Sequence, residues 1–173
     1  MKVTFLVPIK LKSERLPNKM LLPLGTKLLC QYIFDTLLEV KREIECEIYC
    51  FCSNEEIKKY LPSDVIFLKR EENLDSNDTK GIDIYKSFIS KIDSDIYALC
   101  HATSPFIKKE SILRGVYDVV QNSFDSAFSA SEIKTFIWYK GSPLNTHLTM
   151  LLELKILNLY IGKRVLFTFS KKV

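Results

Sequence analysis

Short apolar runs alternate with stretches of helical periodicity along residues 1–145, and this alternation constrains the fold more than any other feature. Val3 to Val7 reads as a buried first strand. Leu28 to Val40 places Leu29, Ile33, Phe34, Leu37 and Leu38 at helical spacing. Glu47 to Cys52 is a second strand, and Ser53-Asn54 caps a helix that starts with Glu55-Glu56, acids that suit a helix N-terminus. Val65 to Leu68 is a third strand, and Asp75 to Asp78 is a polar turn. Thr79 to Ile92 is helical, with Ile82, Tyr85, Phe88 and Ile89 on one face. Ile96 to Cys100 is a fourth strand, and Ile107 to Val120 a helix with Ile112, Val116, Val119 and Val120 inward. Ala127 to Ala130 starts a fifth strand and Thr135 to Tyr139 a sixth. Strands alternating with helices predict an α/β fold: a Rossmann-like, mostly parallel sheet flanked by helices. No internal repeat is present.

Ligands of such sheets bind at the carboxyl ends of the strands, so the loop after the first strand carries the most information. It holds Lys10, Lys12, Arg15 and Lys19 with one acid, Glu14, and the polar residues Ser13 and Asn18. Arg and Lys donors answer phosphate oxygens, which makes a polyanion the natural partner. Composition alone leaves a solvated basic loop as the other reading. No G-x-x-x-x-G-K-[ST] occurs, so this is not a Walker loop.

Charge distribution separates this loop from a nucleic-acid surface. The net charge is +4, but residues 146–173 hold five of the 25 basic side chains and one of the 21 acids. Twenty of each sign remain in residues 1–145, a neutral body without the basic stripe that nucleic acid requires. A hydrophobic share of 47% is enough for a packed core, and no run of 18 apolar residues could span a membrane. The first residues, MKVTFLVPIK, read as a strand rather than a signal peptide. Five cysteines, odd in number and set in apolar runs without C-x-x-C spacing, read as reduced core thiols of a cytoplasmic protein.

Pro8, Lys10, Ser13, Arg15, Leu16, Pro17, Asn18 and Lys19, followed by Leu24-Gly25, resemble the signature loop of the sugar-activating cytidylyltransferases, in particular the acylneuraminate (sialic-acid-type) branch. That signature is written roughly I-P-A-R-x-x-S-K-R-I-P-x-K-N. Here Lys10 stands for the usual Arg, and Ile9, Leu11 and Lys12 replace small residues that let backbone approach phosphate. Further along, Cys52-Ser53-Asn54-Glu55-Glu56-Ile57 is similar to S-T-D-x-E-I, and Arg70 followed by Asp78 to R-P-x-x-L…D. His101-Ala102-Thr103-Ser104-Pro105-Phe106 resembles L-Q-P-T-S-P-L-R, with His101 at the Gln position, and Ser142-Pro143-Leu144-Asn145 matches P-L-N. From residues alone Ser53 reads as a helix cap, Arg70 equally as a surface charge or a site residue, and Thr103-Ser104-Pro105 as a plain turn.

The resemblance implies a nucleotide-diphospho-sugar transferase fold and transfer of CMP from CTP to a nine-carbon sugar acid, with release of pyrophosphate. By the same resemblance Arg15 and Lys19 carry the catalytic charge against the triphosphate. Lys10, Ser13, Asn18, Ser53, Arg70 and Asp78 bind nucleotide, and Thr103 and Ser104 face the sugar. Mg²⁺ is the implied cofactor, but its paired aspartates have no counterpart at matching positions of this chain; Asp75 and Asp78 lie on an earlier turn. The cytidylyltransferase for the eight-carbon sugar acid of lipopolysaccharide is the alternative enzyme, disfavoured by the T-S-P and P-L-N segments.

After Asn145 the resemblance stops. Loss of one base after that codon lets Glu153 to Lys172 be recoded as R-T-Q-D-L-E-P-I-Y-R-E-T-S-A-F-Y-I-F-K-K, the family's next segment. Residues 1–145 are therefore expected to form the nucleotide-binding domain, C-terminally incomplete, and residues 146–173 an out-of-frame tail. A divergent C-terminal helix is the other reading, since LLELKILNLYI has apolar periodicity. A chain shortened in this way would be inactive, a non-catalytic nucleotide-binding remnant, and the family's homodimer would lose much of its interface.

Overall fold

The computed structural model describes residues 1–13, 16–122, 124–130, 135 and 137–144. Arg15, Asn145 and the whole of 146–173, with the out-of-frame reading, lie outside the described residues. Contacts divide the chain into units 1–128 and 129–173. The elements in chain order are β1 (Val3–Ile9), β2 (Pro23–Leu24), β3 (Lys27–Leu28), α1 (Leu29–Lys41), β4 (Cys46–Cys52), β5 (Ile66–Lys69), α2 (Gly81–Ile89), β6 (Ile96–Leu99), α3 (Lys109–Gln121), β7 (Trp138–Tyr139) and β8 (Ser142–Pro143).

The first unit is built on a four-stranded sheet of order β5-β4-β1-β6, every pairing parallel. β1 runs in register with β4 from Val3↔Cys46 to Ile9↔Cys52. Alternation along these strands sorts the core onto two faces. Phe5, Val7 and Ile9 with Ile48, Cys50 and Cys52 pack with Ile33, Phe34 and Leu37 of α1 and Ile112, Leu113 and Val116 of α3. Leu6, Tyr49 and Phe51 face the other way and meet Phe88 of α2. Helices thus cover both faces, as the α/β pattern predicts. All five cysteines are free and buried.

Several local expectations are corrected. Ile82 and Ile89 of α2 and Val120 of α3 are exposed, because each helix meets the sheet along a narrower stripe than its apolar content suggests. The segment after β4 is a 3-10 helix, Glu55–Tyr60, capped by Asn54 alone: its Oδ1 accepts from the Glu56 amide at 2.9 Å. The hydroxyl of Ser53 is turned elsewhere. The polar turn at Asp75 to Asp78 begins as a 3-10 turn, Glu72–Asp75. A β2–β3 hairpin, its strands too short to show alternation, is turned by Gly25 at φ 64°.

No strand forms at Ala127 to Ala130, where all four residues are exposed, Phe128 at 90%, so the segment buries no face against the core. The sixth strand shrinks to β7, in the second unit. It pairs antiparallel with β8 around Lys140 and Gly141, both at positive φ (50° and 80°), the turn geometry that suits a two-residue hairpin.

Candidate nucleotide site

Strand order in the main sheet reverses at β1, and the basic loop leaves its carboxyl end. Leu11, 1% exposed, anchors the start of this loop in the core. The amide of Asn18 closes it by donating to the Leu11 carbonyl at 3.0 Å. Asn18 takes a left-handed conformation, φ 54° and ψ 25°, which Asn tolerates better than most residues. Between these two anchors Lys12 is exposed and Ser13 half-buried, so polar groups are presented on a pinned frame.

The next strands contribute a buried polar cluster. Ser53 follows β4 and is 7% exposed; Arg70 follows β5 and is 2% exposed. Arg70 is no surface charge. Its guanidinium donates to the carbonyls of Ile9 at 3.0 Å and Phe51 at 3.3 Å, pairs with Asp75, and lies 5.7 Å from the Phe51 ring centre. Asp75 also accepts from the Ser53 hydroxyl. A buried cation needs such partners, since the desolvation of a charge is repaid only by good geometry and added hydrogen bonds. Here one side chain ties together the ends of β1 and β4 and the turn after β5. The resemblance pointed to Ser53 and Arg70 but paired the latter with Asp78. Asp75 was the missed member. Its signal was its place at the end of R-E-E-N-L-D, five residues after Arg70.

An open cavity of about 760 Å³ lies between the basic loop and the turn after β5. Lys10, Lys12, Ser13 and Asn18 line one side; Asp75, Asn77 and Asp78 line the other. Lys10 Nζ donates across it to Asn77 Oδ1 at 3.2 Å. A second hollow of about 370 Å³, lined by Ser53, Asn54 and Lys69, shares Lys12, Glu72 and Asp75 with the first. In it Glu55 bonds both Lys58 and Lys69, which hold its carboxyl below the usual carboxylate range.

Six of the sequence-predicted residues are therefore brought together: Lys10, Ser13, Asn18 and Asp78 in the cavity wall, Ser53 and Arg70 in the cluster behind it. Lys19 opens a 3-10 turn beside the cavity without lining it. Thr103 and Ser104 sit past β6, in a turn closed by the Ser104 amide on the His101 carbonyl at 3.0 Å, and line neither hollow. Among the described residues no three His, Cys, Asp or Glu side chains gather into a group that could hold a metal ion.

Parallel strands wrapped by helices, with a cationic loop at the strand order's reversal, define an α/β domain of the kind that binds ligands at the carboxyl ends of its strands. The chain belongs to the cytidylyltransferase family: residues 4–157 match the family model described as cytidylyltransferase. No curated protein matches the sequence. Among solved structures, a CMP:2-keto-3-deoxy-manno-octonic acid synthetase complexed with CTP is similar at 18% identity and a TM-score of 0.57, covering 71% of this chain and 49% of that one. The bifunctional IspDF of Campylobacter jejuni gives 16% identity and 0.64, with coverages of 83% and 37%. A cytidylyltransferase from Leptospira borgpetersenii serovar Hardjo-bovis (strain JB197) gives 22% and 0.55, with 70% and 50%. At these identities the likeness is one of fold, and the chain spans half or less of each of these structures.

Proposed function

We propose that this chain binds CTP at the cavity beside β1 and serves transfer of CMP to an acidic sugar, with release of pyrophosphate. The observation that carries the reading is the pinned basic loop facing the 72–78 turn across an open cavity, in a chain of the cytidylyltransferase family. Lys10 has no acid within ion-pair distance among the described residues, so its charge is available to a phosphate. Arg15 and Lys19 are proposed to add charge from the same loop. In the reaction a sugar hydroxyl oxygen bonds to the α-phosphorus, the bond to the bridging oxygen breaks, and pyrophosphate leaves with that electron pair; the hydroxyl proton passes to solvent. Cations that neutralise the charge spreading over the phosphate oxygens supply most of such catalysis.

The family implies Mg²⁺, but the described acids do not fit it: Asp75, the most enclosed acid of the cavity, is committed to Arg70 and Ser53. The chemistry is therefore assigned to the cations of the chain. A nine-carbon, sialic-acid-type acceptor is supported by the resemblance of Thr103-Ser104-Pro105 and Pro143-Leu144-Asn145 to that branch. The five buried free thiols support a cytoplasmic setting.

Calorimetric titration with CTP, ATP and UTP, followed by pyrophosphate release with Mg²⁺ and either a nine-carbon or an eight-carbon sugar acid, tests the reading. Selective CTP binding is expected; release on the nine-carbon acid would show that this chain keeps the transfer activity, against the inactivity expected of a shortened chain. Selective binding without release on either acid would leave the non-catalytic, nucleotide-binding reading. Absence of CTP binding would refute the assignment of the site.

A further inference from the structure

The cavity has one wall made of the loop after β1 and one made of a short polar turn, and a carboxylate of that turn, Asp75, ties it to the ends of the strands behind. The turn, residues 72–78, contributes Asn77, the partner of Lys10, and among the described residues the side chain of Asp75 ties this turn to Arg70 and Ser53. Arg70 is itself fixed by the Ile9 and Phe51 carbonyls, so the anchor is the sheet. Asp78 and Ser76 bond locally: the Asp78 amide donates to Ser76 Oγ at 3.2 Å, the Ser76 amide to the Asn73 carbonyl at 3.3 Å, and the Ser76 carbonyl accepts from the Thr79 amide at 3.4 Å.

We propose that Asp75 is a positioning residue of the candidate nucleotide site. Locked between Arg70 and Ser53, it holds the 72–78 turn against the carboxyl ends of β1 and β4 and so sets Asn77 where it orients the Lys10 ammonium. Asp75 does not touch the phosphates; it acts through Asn77. The inference rests on the reading of the cavity as the CTP site, and it gives a role to Asp75 in a turn where the sequence resemblance implied only Asp78, as a nucleotide-binding residue. The geometry favours Asp75 over Asp78 because a side chain 16% exposed and paired with a buried guanidinium is immobilised in a way an exposed turn residue is not.

The test is amide hydrogen exchange on the full chain, comparing the parent with D75N, combined with CTP titration of D75N, N77A and the double variant. In D75N the amides of residues 72–78 are expected to exchange at least tenfold faster while those of β1 and β4 keep their protection. CTP affinity is expected to fall about tenfold in D75N and to fall no further in D75N/N77A than in N77A. Unchanged exchange in the turn, or fully additive losses of affinity, would overturn the proposal. Should D75N not fold, S53A leaves the Arg70–Asp75 pair in place and removes one hydrogen bond. A several-fold local loss of protection then supports the proposal, and unchanged protection overturns it. If the parent itself fails to bind CTP, the nucleotide reading falls, while the exchange data still decide whether Asp75 orders the turn.

Discussion

Phe88 is the one α2 residue wholly removed from solvent, and α2 is the helix that covers the sheet face of Leu6, Tyr49 and Phe51. Its ring lies edge-on to Tyr49, Phe51 and Tyr97 at centroid distances of 5.6, 5.5 and 6.4 Å. Phe88→Ala removes the ring and leaves a cavity between rigid aromatic neighbours that cannot collapse, so the loss belongs at about 3–5 kcal/mol. Phe88→Leu keeps most of the apolar volume and forfeits the edge contacts, each worth about 0.5–1.5 kcal/mol and not fully additive; about 2 kcal/mol is expected. Against a total stability of about 5–15 kcal/mol, the alanine variant unfolds at markedly lower urea, by about 2 M for a slope near 2 kcal/mol per M. Urea titrations followed by far-ultraviolet circular dichroism give both values. An alanine variant within about 1 kcal/mol of the parent, or alanine and leucine variants equally destabilised, would refute the claim that this ring and its edge contacts dock α2. The 72–78 wall of the cavity leads directly into α2, so the same variant also reports on the site through CTP affinity.

Lys19→Ala is expected to cut CTP affinity at least tenfold, about 1.4 kcal/mol, and to flatten its salt dependence; an unchanged titration would count against the loop assignment. Asn18→Val forces a β-branched residue into the left-handed region and should cost about 1–2 kcal/mol in thermal or urea unfolding, whereas Asn18→Gly should cost little. Burial pushes the Cys30 thiol up to about 11 and Cys100 up to about 12 from an ordinary 9.0. Above pH 9 the unfolded chain therefore releases protons that the folded chain keeps, so stability is full below pH 9 and falls as pH rises toward 11–12. Its slope approaches about 1.4 kcal/mol per pH unit for each thiol, and Cys30→Ala should flatten it. For the same reason all five buried thiols should resist alkylation at pH 8 until the chain unfolds, and rapid labelling of the native chain would show that burial does not protect them.

The four strands of the main sheet and the three helices were legible because each carries its period in its own residues, apolar every second position or every third and fourth. The cationic character of the loop from Lys10 to Lys19 was legible for a similar reason, since it lies in consecutive residues after a first strand; that Leu11 and the Asn18 amide pin the loop was not. Burial of individual residues was less so. Ile82, Ile89 and Val120 fit the helical stripe yet lie outside the contact, because the width of the stripe is decided by the partner surface. Ser53 has the residue type of a helix cap, and no local signal tells that its hydroxyl turns to Asp75 while Asn54 does the capping. Arg70 shows the limit most plainly. From sequence it is a cation after a strand, as free as any lysine on the surface. Only the sheet, by bringing the carbonyls of Ile9 and Phe51 and the carboxylate of Asp75 to one place from positions 61, 19 and 5 residues away, turns it into a buried tie. Sequence by itself determined which segments become strands and helices and which loop is cationic, since those depend on neighbours in the chain. The tertiary structure decided which polar groups meet, because a buried charge is stable only where partners distant in sequence converge on it.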